Sequence, residues 1–367
     1  MKHIDDCVNL TIGQPDFPMP DVVKEAYISA IREDKTSYSH NKGLSETRQA
    51  ISNYFKNKYG FEYSEEEIII TNGASEALDT SLRSIIEPGD EILIPGPVYA
   101  GYIPLIETLG GIPIYMDTTQ SEFKVTPELI NKHITEKTKA ILLNYPTNPT
   151  GVILERSEVK AIVDTLVDKN LFIISDEIYA ENTFKGAHTS FAEFEEIRDQ
   201  LLLIGGLSKS HSATGIRIGF LIGPEYLIEK LTFMHAYNCI CANVPAQIAC
   251  IAALNEGLEA PQYMNDAYIK RRDYLKNKLE SLGFELTAQP EGAFYIFPSI
   301  KKFTENDFDF CVDVLEQAHV AMVPGSSFTD MGKGYIRISY AYEMDMLKEG
   351  MRRLENYLNQ NYPDKMK

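Results

Sequence analysis

The chain has 367 residues, a formal net charge of -18, and hydrophobic and charged fractions of 44% and 24%. This negative balance disfavours nucleic acid and anionic membrane surfaces, so we expect neither as a partner. The length suffices for one large core and a second, smaller one, which predicts two domains. No apolar run is long enough to span a bilayer, and residues 1–9 carry charges where a signal peptide would be apolar.

The five cysteines are an odd number, and none has the spacing typical of a metal site. Cys239 and Cys241 are separated by one residue and do not form a C-x-x-C pair. The pattern is typical of reduced, unpaired thiols, which predicts a cytoplasmic protein without a metal ion.

Short apolar runs alternate with helix-length segments, such as 75–86 and 157–169, through the middle of the chain. Several of these runs are apolar almost throughout, as strands buried on both faces of a sheet are. The alternation predicts an α/β domain with a large, mostly parallel seven-stranded sheet covered by helices. Ligands of such sheets bind beyond the carboxyl ends of the strands. The predicted strands are 67–71, 91–95, 112–116, 140–144, 172–175, 201–204 and 217–222.

After Pro245 the pattern changes to two long helical stretches, 246–254 and 267–282, and then to short strand-like runs. This order predicts a smaller α+β domain at the C-terminal end. We expect an N-terminal arm at 1–36 that packs with the small domain, a large domain at 37–255 and the small domain at 256–367. The strand-like runs of the small domain are 284–287, 294–297, 320–323 and 335–339.

The segment from Gly206 to Gly219 combines small and hydroxyl residues with two cations. Lys209 is followed eight positions later by Arg217. A lysine amine can form a Schiff base with an aldehyde, and the planar fork of an arginine can hold a phosphate. Pyridoxal phosphate carries both groups, so the segment favours a site for this cofactor. The alternative is a surface loop rich in serine and glycine.

Two further segments follow predicted strands and carry groups suited to a pyridine ring. Asp176 ends an apolar strand, where its carboxylate can pair with the ring nitrogen and keep the ring able to accept electrons. Tyr179 and Asn148 can hydrogen-bond the ring hydroxyl. The plainer interpretations are a helix cap for Asp176, a packing side chain for Tyr179 and a proline-rich turn around Asn148.

A strand-to-helix corner supplies small residues where a phosphate can approach backbone N–H groups. These residues are Gly73, Ala74 and Ser75. Tyr99 follows the next predicted strand and can stack on a flat ring. Close packing at the corner and a core tyrosine are the alternatives. The sequence has no G-x-G-x-x-G or Walker A pattern, so a dinucleotide or nucleoside triphosphate site is not predicted.

Together these segments resemble the class I aminotransferases, the fold-type I pyridoxal-phosphate family. The resemblance is collinear over nearly the whole chain, from 13–17 to 335–339. It implies the aspartate-aminotransferase-like fold with pyridoxal 5'-phosphate as the cofactor. It also implies an enzyme that moves an amino group between an amino acid and a 2-oxo acid by a ping-pong mechanism, with 2-oxoglutarate and glutamate as one pair.

The resemblance implies a role for each matching residue at the cofactor. Lys209 would attach the cofactor and move the proton, and Asp176 would pair with the ring nitrogen. Asn148 and Tyr179 would contact the ring hydroxyl, and Tyr99 would stack on the ring. The residues around the phosphate would be Gly73, Ala74, Ser75, Ser208 and Arg217.

The resemblance likewise implies the substrate contacts and a second subunit. Arg337 would bind the substrate α-carboxylate through a bidentate fork. Asn144 would also contact that carboxylate, and the Gly13 backbone would lie close by. Tyr38 matches the tyrosine that reaches the phosphate of the neighbouring subunit, which places the site at a homodimer interface.

Within the family, several stretches are most similar to the N-acetyl-L,L-diaminopimelate aminotransferases of lysine biosynthesis. Two positions depart from the pattern of many relatives: Gly206 replaces a phosphate-binding serine, and Ile216 replaces a tryptophan. The similar stretches are 10–17, 70–79, 208–215, 292–300 and 323–328.

The residues leave other activities of the same fold open. Aspartate and aromatic aminotransferases and carbon–sulfur β-lyases share the cofactor residues, so the sequence separates them poorly. A non-catalytic regulatory or binding protein on this scaffold should lack the lysine, and the presence of Lys209 disfavours it.

Overall fold

The computed structural model describes residues 6–366. The strands in this range are β1 (Val8–Asn9), β2 (Ile68–Thr71), β3 (Glu91–Gly96), β4 (Ile112–Asp117), β5 (Thr138–Asn144), β6 (Phe172–Asp176), β7 (Leu201–Gly206), β8 (Gly219–Ile222), β9 (Tyr295–Ile296), β10 (Val320–Ala321), β11 (Val323–Pro324) and β12 (Ile336–Ser339). The helices are α1 (Asp21–Arg32), α2 (Ser45–Tyr59), α3 (Ala74–Ile85), α4 (Tyr102–Thr108), α5 (Pro127–His133), α6 (Arg156–Leu166), α7 (Leu207–Ser210), α8 (Glu225–Cys239), α9 (Val244–Asn255), α10 (Ala260–Ser281), α11 (Asp307–Ala318) and α12 (Met344–Asn361).

The large sheet has the strand order β2-β8-β7-β6-β5-β3-β4, which confirms the predicted seven-stranded sheet. Strand β8 runs antiparallel to its neighbours β2 and β7, and the other pairs are parallel. Successive side chains of a strand point to opposite faces of the sheet, and both faces are buried under packed side chains. Ile68 and Ile70 pack into one core, while Ile69 packs into another on the opposite face. Burying each such side chain contributes roughly 1.5–3 kcal/mol.

The carboxyl ends of the parallel strands meet along one edge of this sheet. Asn144, the last residue of β5, is in register with Asp176, the last residue of β6. Strand β7 ends at Gly206, and α7, which carries Lys209, follows directly. Because β8 runs in the opposite direction, its first residue, Gly219, lies at this edge beside Gly206. Residues from four separate segments therefore converge there.

A second core lies in the C-terminal part of the chain. Strands β9, β11 and β12 form a three-stranded antiparallel sheet, and α10, α11 and α12 contribute buried apolar residues around it. The predicted strand at 284–287 is wrong. Its backbone meets a partner only at the isolated bridge between Glu285 and Ser299, so no hydrogen-bond ladder forms.

The predicted arm contacts both cores. Strand β1 pairs in parallel with β10, and Val8 and Leu10 pack into the C-terminal core. Helix α1, by contrast, packs on α9, and its Val23 lies in the core of the large sheet. The arm therefore ties the two cores together rather than packing with the small domain alone. Among the residues described, none of the helices is long and apolar enough to cross a membrane.

Candidate active site

A cavity of about 330 Å³ lies at the carboxyl edge of the large sheet. All residues predicted for the site line it except Gly73 and Tyr38. The lining also includes residues that the sequence interpretation did not single out. These additional residues are Leu78, Tyr102, Ile178, Thr214 and Tyr295.

Asp176 is a deeply buried carboxylate in this lining. Its Oδ2 accepts a hydrogen bond from the Tyr102 hydroxyl at 2.6 Å, and its Oδ1 accepts one from the Ile178 backbone N–H at 3.1 Å. Burial raises the pKa of Asp176 above its ordinary value, although both hydrogen bonds act in the opposite direction. A cation placed against this carboxylate would offset the cost of burying its charge.

Lys209 projects into the same cavity from α7. Its Nζ donates a hydrogen bond to the Gly13 carbonyl at 2.8 Å. The pKa of Lys209 is lowered to about 8, chiefly by burial and also by the positive charges of Arg217 and Arg337, while the Asp176 carboxylate partly opposes them. An amine with this pKa is available in its neutral, nucleophilic form closer to neutral pH than an ordinary lysine.

The Arg217 guanidinium packs closely against the strand-to-helix corner at Gly73. Gly73 has a φ of 84° and serves as the residue before α3. A Cβ at Gly73 would lie 2.4 Å from Arg217 Nη2, and one at Gly219 would lie 2.7 Å from the Ala74 nitrogen. Glycine at both positions lets Arg217 and the first N–H groups of α3 face the same space, as an anion site requires.

Arg217 itself adopts a left-handed backbone conformation, with a φ of 55°. This explains why β8 begins at Gly219 and not at residue 217 as predicted, since a strand needs negative φ. The guanidinium donates to the Thr214 carbonyl at 2.8 Å and to the Asn72 carbonyl at 3.3 Å. These two bonds hold the fork at the corner.

Arg337 lies on the opposite side of the cavity, on β12. Its Nη1 donates to Asn148 Oδ1 at 2.9 Å, and its Nη2 donates to the Thr11 carbonyl. Its guanidinium carbon lies 4.4 Å from the ring centre of Tyr295. Its buried Nε has no hydrogen-bond partner among residues 6–366. A buried donor without a partner is costly, so this side of the cavity is suited to an acceptor such as a carboxylate.

Asn144 connects the end of β6, which carries Asp176, with the loop that carries Asn148. Its Nδ2 donates to the Asp176 carbonyl at 2.9 Å, and its Oδ1 accepts from the Asn148 backbone N–H at 3.1 Å. Its side-chain oxygen and one amide hydrogen are thus used within the chain. The contact with a substrate carboxylate that was predicted for Asn144 would depend on its second amide hydrogen.

Two tyrosines that the sequence interpretation missed hold the predicted residues in place. The Tyr295 hydroxyl lies 2.8 Å from the Tyr179 hydroxyl, and Tyr102 bonds Asp176 as described above. A Cβ at Gly13 would lie 2.0 Å from the Tyr295 hydroxyl, so only glycine leaves room for it there. Tyr102 stands three residues after the predicted Tyr99. Neither Tyr102 nor Tyr295 belongs to a motif that would have predicted these contacts.

The remaining predicted residues occupy less enclosed positions. Tyr99 lines the cavity with 45% of its surface exposed, and its ring packs edge-on against Tyr102. Tyr38 is 78% exposed and lies away from the lining of this cavity. Gly206 has no space for a larger side chain, because a Cβ there would lie 2.9 Å from the Ile218 carbonyl.

Comparison with known proteins identifies the class. The profile of the family described as aminotransferase class I and II matches residues 5–354. The chain therefore belongs to this family, and it has the aspartate aminotransferase-like fold.

Individual relatives are similar over nearly their whole length. The chain is 48% identical to a probable N-acetyl-LL-diaminopimelate aminotransferase of Bacillus subtilis, over 96% of this chain and 90% of that protein. It is 34% identical to an aspartate aminotransferase of Thermotoga maritima, over 98% and 93% of the two chains. The crystal structure of an aromatic aminotransferase from Pyrococcus horikoshii superimposes with a TM-score of 0.94 at 34% identity, covering 97% of each chain.

The enzyme is a pyridoxal-phosphate-dependent aminotransferase, and the cavity fits this cofactor. The buried Asp176 carboxylate calls for a cation, and a protonated pyridine nitrogen supplies one. The Lys209 amine, which could react with the aldehyde, lies in the same cavity. Ala74 and Ser75 at the start of α3 and the Arg217 guanidinium also line it, and such groups suit a phosphate. The donor set thus matches the three functional parts of the cofactor.

The lowered pKa of Lys209 leads to a prediction for the cofactor-free enzyme. Only the neutral amine attacks an aldehyde, and its fraction grows as the pH rises through the pKa. We expect the rate of covalent cofactor attachment to rise with pH through a midpoint of about 8. Rapid-mixing absorbance of cofactor-free enzyme with pyridoxal phosphate measures this rate, with Nα-acetyl-lysine as the reference amine. A midpoint at the ordinary lysine value of 10.5 would contradict the prediction.

Proposed function

We propose that the enzyme transfers an amino group between N-acetyl-L,L-diaminopimelate and 2-oxoglutarate, by a ping-pong reaction in the cavity at the sheet edge. The observation that carries amino transfer is the convergence of three charged groups on one cavity: Lys209, Asp176 and Arg337. When bound, the cofactor supplies an aldehyde for covalent attachment and a ring that accepts electrons. The roles below belong to this proposal.

Lys209 is the residue that moves the proton. Its amine would take the proton from the substrate α-carbon and hold it for the return transfer. Its lowered pKa supports this role, because a general base works best when its pKa lies near the working pH. Asp176 would pair with the ring nitrogen of the cofactor and favour its protonated form, and Tyr102 holds the Asp176 carboxylate in position.

The other lining residues orient the cofactor and the substrate. Arg337 binds the substrate α-carboxylate, and its unpartnered Nε supports this role. Asn144 and the Gly13 backbone adjoin that carboxylate. Asn148 and Tyr179 contact the ring hydroxyl, and Tyr99 stacks on the ring. The phosphate contacts are Gly73, Ala74, Ser75, Ser208 and Arg217.

The identities favour the acetylated substrate over the alternatives. The Bacillus subtilis protein named for this substrate is 48% identical, whereas the aspartate and aromatic aminotransferases in the comparison are 31–36% identical. The alignments cover similar lengths, so this difference in sequence identity supports a function in lysine biosynthesis.

A donor panel with 2-oxoglutarate as the acceptor tests the substrate. We expect the highest kcat/KM with N-acetyl-L,L-diaminopimelate, at least about 100-fold above L-aspartate and L-phenylalanine, because polar groups built for one substrate reject another strongly. Glutamate formation is the readout, and the reverse reaction from glutamate provides a second one. If kcat/KM were highest with aspartate or an aromatic amino acid, the enzyme would instead be an aspartate or an aromatic aminotransferase. Pyruvate and ammonia release from cystathionine would instead indicate a β-lyase.

Arg337→Ala separates substrate binding from cofactor binding. Loss of a buried, charge-assisted contact costs about 3 kcal/mol, which corresponds to a rise of the KM for the amino donor of roughly 100-fold. Covalent cofactor retention should be unchanged. Arg337→Lys keeps the charge but loses the planar fork, so we expect an intermediate KM. Steady-state kinetics and borohydride trapping measure the two effects, and equal loss of both would contradict the carboxylate role.

We also propose a cytoplasmic homodimer in which Tyr38 reaches the phosphate of the neighbouring subunit. Tyr38 is strongly exposed, and so are Phe233 at 70% and Tyr237 at 89% on α8. Asn41 Nδ2 donates to the Ile240 carbonyl at 2.8 Å, which places the segment after Tyr38 beside the end of α8. Exposed aromatic side chains grouped in this way are typical of a protein interface. Sedimentation equilibrium should give twice the chain mass, and the mass of a single chain would contradict the dimer.

A further inference from the structure

A cluster of three potential metal ligands lies behind the phosphate corner. The side chains are Glu76, His235 and Cys239, and their ligand atoms lie within 4.8 Å of one another. The three residues do not belong to the lining of the active-site cavity. The amino-transfer mechanism proposed above gives none of them a role.

Two helices bring these side chains together. His235 and Cys239 are four residues apart on α8, so they lie on the same face of that helix. Glu76 belongs to the first turn of α3, which packs against α8. No metal site was predicted from the sequence, because the cysteines lack the spacing typical of one. The third side chain, Glu76, lies on a helix far from α8 in sequence.

The Glu76 carboxylate is oriented with one oxygen toward the cluster. Its Oε2 accepts from the Asn72 backbone N–H at 2.6 Å and from Asn72 Nδ2 at 3.1 Å. Its Oε1 is buried and has no hydrogen-bond partner within residues 6–366. The side chain is only 8% exposed. Oε1 lies 3.4 Å from His235 Nδ1, within ion-pair distance, and outer contacts such as those from Asn72 commonly orient metal-binding carboxylates.

Two of the three distances between the ligand atoms match those of a tetrahedral metal ion. Glu76 Oε1 lies 3.4 Å from His235 Nδ1, and Cys239 Sγ lies 3.7 Å from that nitrogen and 3.8 Å from Nε2. Zinc bonds of ordinary length at tetrahedral angles would separate oxygen from nitrogen by about 3.4 Å and sulfur from nitrogen by about 3.6 Å. A metal ion on Nδ1 would, however, place Sγ about 5 Å from Nε2, so the Cys239 or the His235 side chain must rotate before the three ligands share one ion.

We propose that Glu76, His235 and Cys239 bind one divalent transition-metal ion of the zinc type. A thiolate, an imidazole and a carboxylate are ligands that zinc accepts, whereas magnesium and calcium prefer oxygen alone. Three protein ligands leave one position for water. Glu76 then links the metal to the phosphate corner, because its Oε2 remains bonded to Asn72, whose carbonyl accepts from Arg217.

Cobalt titration of the holoenzyme, after treatment with a chelator, tests this site. Co²⁺ adopts the same geometry and absorbs visible light, and a bound thiolate adds a charge-transfer band in the near ultraviolet. We expect one Co²⁺ per chain with both the tetrahedral spectrum and the thiolate band. Cys239→Ser should remove the thiolate band and weaken binding at least about tenfold. His235→Gln should weaken binding similarly.

Cys241→Ser is the matched control, because Cys241 is also half-buried and stands only two residues away. It should leave the spectrum and the affinity unchanged. Failure of the wild-type holoenzyme to give the tetrahedral spectrum with its thiolate band would overturn the proposal, even if the variants do not fold. Equal loss in Cys241→Ser would overturn the ligand assignment. The cobalt spectrum and affinity do not depend on turnover. The metal site can therefore fail this test while the proposed amino-transfer function holds, and the reverse is also true.

Discussion

Replacing Lys209 with alanine is expected to abolish amino transfer. The substitution removes the amine that attaches the cofactor and moves the proton, and no other lysine lines the cavity among the described residues. We expect kcat to fall by at least about 10⁴-fold, the upper end of what a positioned proton-transfer group contributes. Glutamate formation under saturating donor and acceptor measures the loss. The fold should persist, because Nζ makes one hydrogen bond, to the Gly13 carbonyl, and a cation–π contact with the Tyr179 ring at 5.9 Å.

Lys209→Arg is the control that separates chemistry from charge. It keeps a cation beside Asp176 but has no amine that can become neutral near physiological pH. We therefore expect it to be as inactive as Lys209→Ala. Turnover by Lys209→Arg near the wild-type rate would show that the positive charge matters and that the proton moves through another group.

Replacing Asp176 with asparagine is expected to give the second largest loss. Asparagine preserves the size of the side chain and an acceptor for Tyr102, but it removes the charge that pairs with the ring nitrogen. Truncating one partner of a buried charge pair costs about 4 kcal/mol, so kcat should fall by roughly 10³-fold. Steady-state kcat with saturating substrates measures the effect, together with the amount of cofactor retained.

The neighbouring buried carboxylate provides the comparison for Asp176. Glu177 accepts from Ser175 and from the Phe191 backbone N–H and pairs with His188 at 2.7 Å, away from the cavity lining. Glu177→Gln should lower the thermal stability and leave kcat unchanged. An equal loss of kcat in both variants would show that the effect of Asp176→Asn arises from general disturbance of β6 and its loop.

The sheet was predictable from the sequence because its strands are almost wholly apolar and alternate with helices. Positions that follow a parallel strand must meet at one edge, and this rule brought together Asn144, Asp176 and Lys209 from three separate segments. The resemblance to a known family then gave each of them an expected role. The cavity brings these three side chains together, and their roles remain proposals.

The residues that the sequence did not reveal are those defined by long-range contacts. Tyr102 and Tyr295 read as ordinary core aromatics, and only the folded chain places their hydroxyls against Asp176 and Tyr179. Strand ends depended on local backbone conformation, as the positive φ of Arg217 illustrates. The arm also differed from expectation, because α1 packs on α9 through apolar contacts that no local pattern specifies.

The central claim is that Lys209 holds the cofactor in the cavity at the sheet edge. Borohydride reduction of the holoenzyme, followed by proteolysis and peptide mass spectrometry, tests it most directly. We expect one phosphopyridoxyl group per chain, on the peptide that contains Lys209 and on no other. Labelling of a different lysine, such as the buried Lys42, or retention of cofactor without any covalent label, would contradict it.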